Sequence, residues 1–175
     1  MSTLRELHGD KVAARDGLVG WLRDVYFDDE HWAVRYFVVH THDWAPARRM
    51  LIPPDSVEPG LSGPNKIRLA LTRAQVERVR VGEVATPARL RSGIDIIGYG
   101  IEARDGSLGE VEDLVVDDDS WAIRDVVVDT RKWWPGGHVR VHPAYVERID
   151  RERRKVHVRL TRAQVRRSGA RSARR

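Results

Sequence analysis

The chain has 175 residues, of which 41% are hydrophobic and 33% are charged, a composition that favours one or two small folded domains. It contains no cysteine, which excludes disulfides, thiol catalysis and cysteine-ligated zinc sites. No apolar run approaches the roughly 20 residues of a membrane helix, and the polar start from Met1 to Asp10 lacks the apolar core of a signal peptide. We therefore expect a cytoplasmic protein.

The excess of positive charge is confined to one end of the chain. Residues 1–88 hold 12 basic and 12 acidic residues, and residues 89–165 hold 14 of each, so the net charge of +5 comes from residues 166–175. The arginines of this segment are Arg166, Arg167, Arg171, Arg174 and Arg175. We expect a disordered basic tail over residues 168–175, which is either a solubilising end or a weak contact for nucleic acid or anionic lipid.

The sequence repeats itself with a shift of 89 residues. HWAVRYFVVHTHDW at His31–Trp44 matches SWAIRDVVVDTRKW at Ser120–Trp133, and LTRAQV occurs at both 71–76 and 160–165. The match needs no gap from Gly9 to Val79, which indicates a duplicated domain. The predicted organisation is repeat 1 over residues 1–80, a linker over 81–92, repeat 2 over 93–167 and the tail.

Each repeat begins with a predicted series of short strands. The first strand leads into Arg-Asp-Gly, a hairpin signal because glycine takes φ > 0 without steric cost. The third strand is apolar on nearly both faces, which is typical of a central, buried strand. The predicted strands are 11–14, 20–27, 32–39 and 50–52 in repeat 1, and 100–103, 109–116, 121–128 and 139–141 in repeat 2.

A fifth strand and a short helix close each repeat. Ile67 and Leu69 alternate with Arg68, a pattern that predicts a half-buried strand. The spacing of Thr72 and Gln75, repeated at 161 and 164, is that of a capping box at the start of a helix. Short strands followed by one helix favour closure into a barrel, because closure removes exposed sheet edges. We therefore predict an all-β fold of two small β-barrels in tandem, each ending in a short helix.

This ordered set of motifs resembles the PRC-barrel family. Repeat 2 carries the resemblance best, through ARDGSLGEVEDLVVDDDSWAIRDVVVDT, then HVRVHPAYV and VHVRLTRAQV. Repeat 1 departs from the pattern at Trp21 and Leu22, in the Gly-x-Val slot, and at LIPP over residues 51–54. Together the two copies cover nearly the whole chain except its termini and the linker.

The resemblance implies a binding module and not an enzyme. PRC barrels occur in the photosynthetic reaction-centre H subunit, in a ribosome-maturation factor and in small bacterial proteins, some of them linked to stress. The sequence shows neither the membrane helix expected of the H subunit nor the N-terminal domain expected of the maturation factor. The resemblance therefore implies a stand-alone tandem protein. We expect a non-catalytic interaction or scaffold protein, acting as a homodimer without a cofactor. The alternatives are an RNA- or ribosome-associated factor that uses the arginine tail, and a metal- or small-molecule-binding regulator.

The loop after the third strand carries the candidate partner-binding residues. They are Trp44, Arg48 and Arg49 in repeat 1, and Arg131, Lys132, Trp133 and Trp134 in repeat 2. Aromatic residues and arginine are enriched at interface hot spots. One tryptophan of each loop either caps the barrel core or contributes to a surface for a partner or a second copy. Trp134 matches Ala45 in repeat 1, so it is the preferred exposed anchor.

Two further groups of residues could bind a metal ion. His40 and His42, at i and i+2 on a strand, point the same way and form a weak candidate site, with His31 and His8 as further ligands. The alternative is that these histidines are ordinary surface residues. The acidic triplets at 28–30 and 117–119 could attract a cation, but they lack the ligand spacing of an EF-hand and occur where a hairpin must turn.

Overall fold

The computed structural model describes two compact units. Unit 1 comprises residues 1–94 and 117–122, and unit 2 comprises residues 95–116 and 123–175. The described residues are 1–41, 49–59, 67–78, 89–131 and 137–172, with side chains described as far as Arg167. The domain bounds drawn from the repeat stay a prediction.

Unit 1 consists mainly of β-strands. Its strands are β1 (Ser2–Thr3), β2 (Lys11–Ala14), β3 (Gly17–Asp28), β4 (Ala33–His40), β5 (Arg49–Ile52), β6 (Ile67–Arg68) and β7 (Leu90–Ser92). Its helices are α1 (Leu4–Leu7) and α2 (Arg73–Arg78), with a 3₁₀ turn at Pro54–Ser56, and α3 (Gly93–Ile96) follows β7. The sheet order is β5-β4-β3-β2-β6, in which only the β2–β6 pair is parallel, and β7 pairs with the far end of β3.

Unit 2 repeats this order with one more strand. Its strands are β8 (Gly100–Ala103), β9 (Gly106–Val116), β10 (Ile123–Asp129), β11 (His138–Val141), β12 (Val146–Asp150) and β13 (Lys155–Val158). A 3₁₀ turn spans Pro143–Tyr145, and α4 spans Arg162–Ser172. The order is β11-β10-β9-β8-β13-β12, and the β8–β13 pair is parallel.

The prediction of a mainly β fold is confirmed. Within the described residues both strand orders are open, with β5 and β6 at the ends of one and β11 and β12 at the ends of the other. Closure into two barrels is therefore not seen and stays a prediction.

The duplication extends to the packing of the core. Fourteen buried apolar positions of unit 1 recur 89 residues later as buried apolar positions of unit 2. They are Leu7, Val12, Val19, Leu22, Val25, Phe27, Val34, Phe37, Val39, Met50, Ile52, Ile67, Leu69 and Val76, matched by Ile96, Ile101, Leu108, Val111, Leu114, Val116, Ile123, Val126, Val128, Val139, Val141, Val156, Val158 and Val165. Each unit therefore buries the same face of the same strands, together with one residue of its final helix.

Local turn and capping signals are confirmed. Gly17 and Gly106 of the Arg-Asp-Gly hairpins have φ of 145° and 135°, a region that favours glycine. The Thr72 amide donates to Gln75 Oε1 at 2.8 Å, and the Gln75 amide donates to Thr72 Oγ1 at 3.3 Å. The same two bonds join Thr161 and Gln164 at the start of α4.

Several elements differ from the prediction: β1, β7, α1 and α3 were not predicted, and β3 and β9 begin three residues earlier than predicted. The third strands begin after Trp32 and Trp121, which lie in the preceding turns with φ of 53° and 56°. Strand β12 was not predicted, because its exposed charged residues hide the pattern of a half-buried strand. The backbone of residues 168–172, placed in the disordered tail by the sequence, continues α4, since alanine and arginine favour helix.

Within the described residues, no helix combines the length and the apolar character that crossing a membrane requires.

Candidate partner-binding groove on unit 1

An open groove of about 750 Å³ lies on the face of the unit 1 sheet that is opposite its core. Strands β3, β4 and β5 form its floor, and the start of α3 forms one rim. Its lining residues are Trp21, Arg23, Asp24, Val38, His40, Thr41, Arg49 and Ile94.

Strand register places an aromatic ring among cationic side chains. Lys11 pairs with Trp21, Trp21 with His40, and His40 with Arg49, so one row crosses four strands. Residues directly opposite each other in an antiparallel pair project from the same face. Trp21 is half-buried, whereas the other three members are exposed. The row therefore presents one large ring flanked by two permanent positive charges and a histidine.

A β-bulge adds a further cation to this face. Leu22 pairs with Val39 and Asp24 pairs with Val38, so Arg23 is an extra residue in β3. Arg23 is exposed and lines the groove. The bulge thus turns a charged side chain toward the rim without interrupting the alternation of buried residues.

Asp24 joins the sheet to the start of α3. Its carboxylate accepts hydrogen bonds from Ser92 Oγ at 2.5 Å, the Ile94 amide at 3.0 Å and the Val25 amide at 2.7 Å. Burial raises the pKa of Asp24, an effect that these hydrogen bonds and the charge of Arg49 oppose. These bonds hold Ile94 at the rim, where its side chain is 39% exposed.

The groove has the composition of a binding surface. It combines a tryptophan ring, an exposed aliphatic side chain and two guanidinium groups, which are the groups that interfaces favour. Arg49 also lies over the ring of Tyr26, with its guanidinium carbon 5.1 Å from the ring centroid. A partner that covered this groove would bury apolar surface beside charges available for hydrogen bonds.

Two of the seven predicted partner-binding residues, Arg49 and Arg131, are among the described residues. Arg49 lines the groove, whereas Arg131 is on unit 2, with its Nη2 2.6 Å from Asp129 Oδ2. Hydrogen bonds from Arg131 lower the pKa of Asp129 below its usual range. Trp44, Arg48, Lys132, Trp133 and Trp134 lie outside the described residues.

The predicted histidine pair is only half described. His40 lies in the groove opposite Trp21 and Arg49, and His42 lies outside the described residues. In the part of the chain that the structure describes, one group of three side chains brings ligand atoms within 4.8 Å of each other, and His40 is not in it. That group is Asp28, Glu30 and His31.

Basic side chains neutralise the first acidic triplet. Asp28 Oδ2 lies 2.8 Å from His31 Nδ1 and 3.1 Å from Arg35 Nη2. Arg91 Nε lies 2.7 Å from Asp29 Oδ2, and Arg89 Nη1 lies 2.5 Å from Glu30 Oε2. These ion pairs supply the positive charge that a bound cation would otherwise provide.

Both acidic triplets also build their turns. Asp28 Oδ1 accepts the Glu30 amide at 2.8 Å, and Asp117 Oδ1 accepts the Ser120 amide at 2.9 Å. Such bonds from a carboxylate to an amide two or three residues on are typical of Asx turns. The geometry thus agrees with the interpretation of the triplets as hairpin turns.

Three of the five arginines at the end of the chain belong to α4. Arg166 and Arg167 are exposed on α4, and Arg171 belongs to the same helix, though its side chain is not among those described. Arg174 and Arg175 lie outside the described residues.

Sequence reasoning missed Trp21 and Ile94 as groove residues. The one signal for Trp21 was its departure from the Gly-x-Val pattern, since the matching residue of repeat 2 is Glu110. Ile94 had no signal, because only the pairing of β7 with β3 brings it to the groove. No protein-family model matches the sequence, and no curated protein matches it either.

Proposed function

We propose that this protein is a non-catalytic interaction or scaffold protein of the PRC-barrel type, built from two small barrels and acting in the cytoplasm as a homodimer. The observation that carries the proposal is the groove on unit 1. Its tryptophan and arginines are residue types that are enriched at the hot spots of protein–protein interfaces, and its exposed isoleucine adds apolar area.

The position of the groove along the chain adds support. Thr41 and Arg49 both line it, and they flank the segment that contains Trp44. The predicted tryptophan loop of repeat 1 is therefore joined at both ends to residues that line the groove. We expect the loop and the groove to act as one surface.

The first experiment measures the solution mass by light scattering at two protein concentrations. A homodimer has twice the chain mass of 20.0 kDa, and its fraction rises with concentration as mass action requires. A single species of one chain mass at both concentrations would contradict self-association.

A substitution then tests which side chains carry the association. Trp21→Ala removes the central ring of the groove and should raise the dissociation constant at least ~10-fold, a typical effect at a hot spot. Tyr145→Ala is the control, because Tyr145 is 42% exposed on unit 2 and does not line the groove. Circular dichroism checks that both variants are folded.

Trp134→Ala tests the loop of repeat 2 in the same assay. We expect weaker association with an unchanged unfolding midpoint, since Trp134 is the predicted exposed anchor. If the dissociation constant were the same in wild type, Trp21→Ala and Trp134→Ala, the tryptophan surfaces would not be the interface.

A further inference from the structure

The face that carries the groove has an equivalent on unit 2 with opposite charge. In unit 2 the row across four strands is Gly100, Glu110, Asp129 and His138, paired in the same register. The bulge recurs as well, because Val128 pairs with Val111 and Val127 pairs with Asp113, which leaves Glu112 as the extra residue. The same strand register thus places acids where unit 1 has a ring and cations.

The contrast extends over ten matched positions. The cationic face of unit 1 comprises Lys11, Trp21, Arg23, Asp24, Tyr26, Tyr36, Val38, His40, Arg49 and Leu51. The acidic face of unit 2 comprises Gly100, Glu110, Glu112, Asp113, Val115, Asp125, Val127, Asp129, His138 and Arg140. With histidine neutral, the first has three cations against one carboxylate, and the second has five carboxylates, of which Asp113 is buried, against one cation.

Acidic side chains outnumber arginines on the acidic face even when a neighbouring arginine is counted. His138 Nε2 lies 2.7 Å from Glu112 Oε2, and Arg140 Nη1 lies 3.8 Å from Asp125 Oδ2. Arg131, which follows the face, adds a second arginine through its pair with Asp129. The four carboxylates that are at least partly exposed, those of Glu110, Glu112, Asp125 and Asp129, still outnumber these two arginines.

We infer that the cationic face of unit 1 binds the acidic face of unit 2 of a second copy of this chain. This inference rests on the proposed self-association and names its surfaces. Opposite charges on matched sheet faces give attraction between unlike faces and repulsion between like faces, which sets specificity and register. The three rings of the cationic face, Trp21, Tyr26 and Tyr36, supply the apolar area.

The size of the faces sets the expected strength. Four strands spaced about 4.8 Å apart span roughly 14 Å. A face of this width covers less area than each partner contributes to a standard interface. One such contact is therefore weak and depends on its charges. In a two-fold dimer the contact occurs twice, since each chain offers both faces. We expect the association to weaken as salt screens these exposed charges.

Charge reversal tests the pairing in the full-length chain. Variant A carries Arg23→Glu and Arg49→Glu, so both of its faces are acidic. Variant B carries Glu110→Lys, Glu112→Lys and Asp129→Lys, which leaves two carboxylates against four cations on its unit 2 face, so both of its faces are basic. Each variant alone should lose self-association at least ~10-fold, because like charges then oppose each other.

An equimolar mixture of the two variants restores the complementary pairs. The substituted unit 1 face of A, now acidic, meets the substituted unit 2 face of B, now basic. The unchanged unit 2 face of A and the unchanged unit 1 face of B still have opposite charges. We expect sedimentation velocity to show hetero-association near the wild-type strength. A structural defect in either variant could not produce this recovery.

The control variant carries Arg15→Glu and Arg68→Glu, two exposed cations that are outside both faces, and has the same net charge as variant A. It should associate like wild type. If A and B each associated like wild type, or if their mixture showed no recovery, the face pairing would be overturned while self-association stood. If wild type were monomeric throughout, the proposed function would fail as well.

Discussion

Trp32 and Trp121 hold left-handed backbone at the turns that follow β3 and β9. Their φ values of 53° and 56° cost each residue on the order of 1–3 kcal/mol. Both residues are only 8% exposed. The ring of Trp32 is tilted by 30° against that of Phe27, with 5.3 Å between centroids, and Trp121 packs edge-on against Phe37 at 4.7 Å. Burial of a large ring offsets this strain. Both tryptophans were predicted to begin strands, because their apolar side chains indicate burial and the residue type gives no sign of the turn conformation.

Close backbone approach explains two other residues of both repeats, Gly20 and Gly109. A Cβ on Gly20 would lie 2.1 Å from the His40 carbonyl oxygen, and one on Gly109 would lie 1.9 Å from that of Asp129. Gly109 also has φ of 132°, which strains any other residue. Only glycine therefore permits the ends of the paired strands to come this close.

We predict that Gly109→Ala lowers the free energy of unfolding by about 3 kcal/mol, through overpacking and backbone strain together. Gly100→Ala is the matched control, because its Cβ would meet nothing nearer than Lys155 Cγ at 3.9 Å. Urea unfolding at one pH measures both variants. Equal midpoints for the two would show that the strand ends can separate at little cost.

At the scale of elements, one aspartate in each repeat belongs to a hairpin and also caps a helix. Asp16 and Asp105 belong to the Arg-Asp-Gly hairpins, and each also accepts the first amide of the closing helix. The Arg73 amide donates to Asp16 Oδ1 at 2.7 Å, and the Arg162 amide donates to Asp105 Oδ1 at 2.8 Å. The hairpin and the capping box were predictable because their partners are close in sequence. The bond between them joins residues 57 apart, so local spacing could not reveal it.

The turn after β3 should respond to pH through Asp28. Although burial raises the pKa of Asp28, hydrogen bonds from His31, the Glu30 amide and Arg35 outweigh it, so the pKa lies below its usual range. A depressed carboxyl pKa stabilises the folded state above the unfolded value of about 4, and this contribution is lost as pH falls through the folded value.

Asp28→Asn should therefore lower the free energy of unfolding by about 1 kcal/mol near neutral pH, with the difference from wild type shrinking below about pH 4. Urea unfolding from pH 7 to pH 3 measures it. Asp55→Asn, on the exposed 3₁₀ turn, controls for the loss of one negative charge. A difference between wild type and Asp28→Asn that grew toward low pH would contradict the assignment.

At the scale of the whole molecule, unit 1 is assembled from two separate stretches of the chain. Residues 117–122 belong to it although they lie within the second repeat of the sequence. The Val34 amide donates to the Trp121 carbonyl at 2.9 Å, and Ala33 forms a bridge with Ala122. With the ring of Trp121 against Phe37, these contacts make the later segment part of the unit 1 core.

We predict that Trp121→Ala destabilises unit 1 by about 3 kcal/mol, because it removes a buried ring from Phe37. Hydrogen exchange locates the effect, with faster exchange expected for the amides of β4, including Val34. Trp121→Phe should restore most of the protection, since an aromatic ring remains. Faster exchange confined to β9 and β10 would show that Trp121 stabilises unit 2 and not unit 1.

The sequence by itself determined the duplication, the mainly β composition, the Asp-Gly hairpins, the helix caps and the buried strand positions. Each depends on residues a few positions apart, or on an apolar period that the fourteen matched core positions satisfy in both units. Only the tertiary structure decided that Ile94 and Asp24 meet at the groove, and that residues 117–122 complete unit 1. Those contacts join residues distant in sequence, where pairing is chosen by packing and no local pattern records the partner. The opposite charges of the two matched faces were present in the sequence, but strand register was needed to bring them into rows.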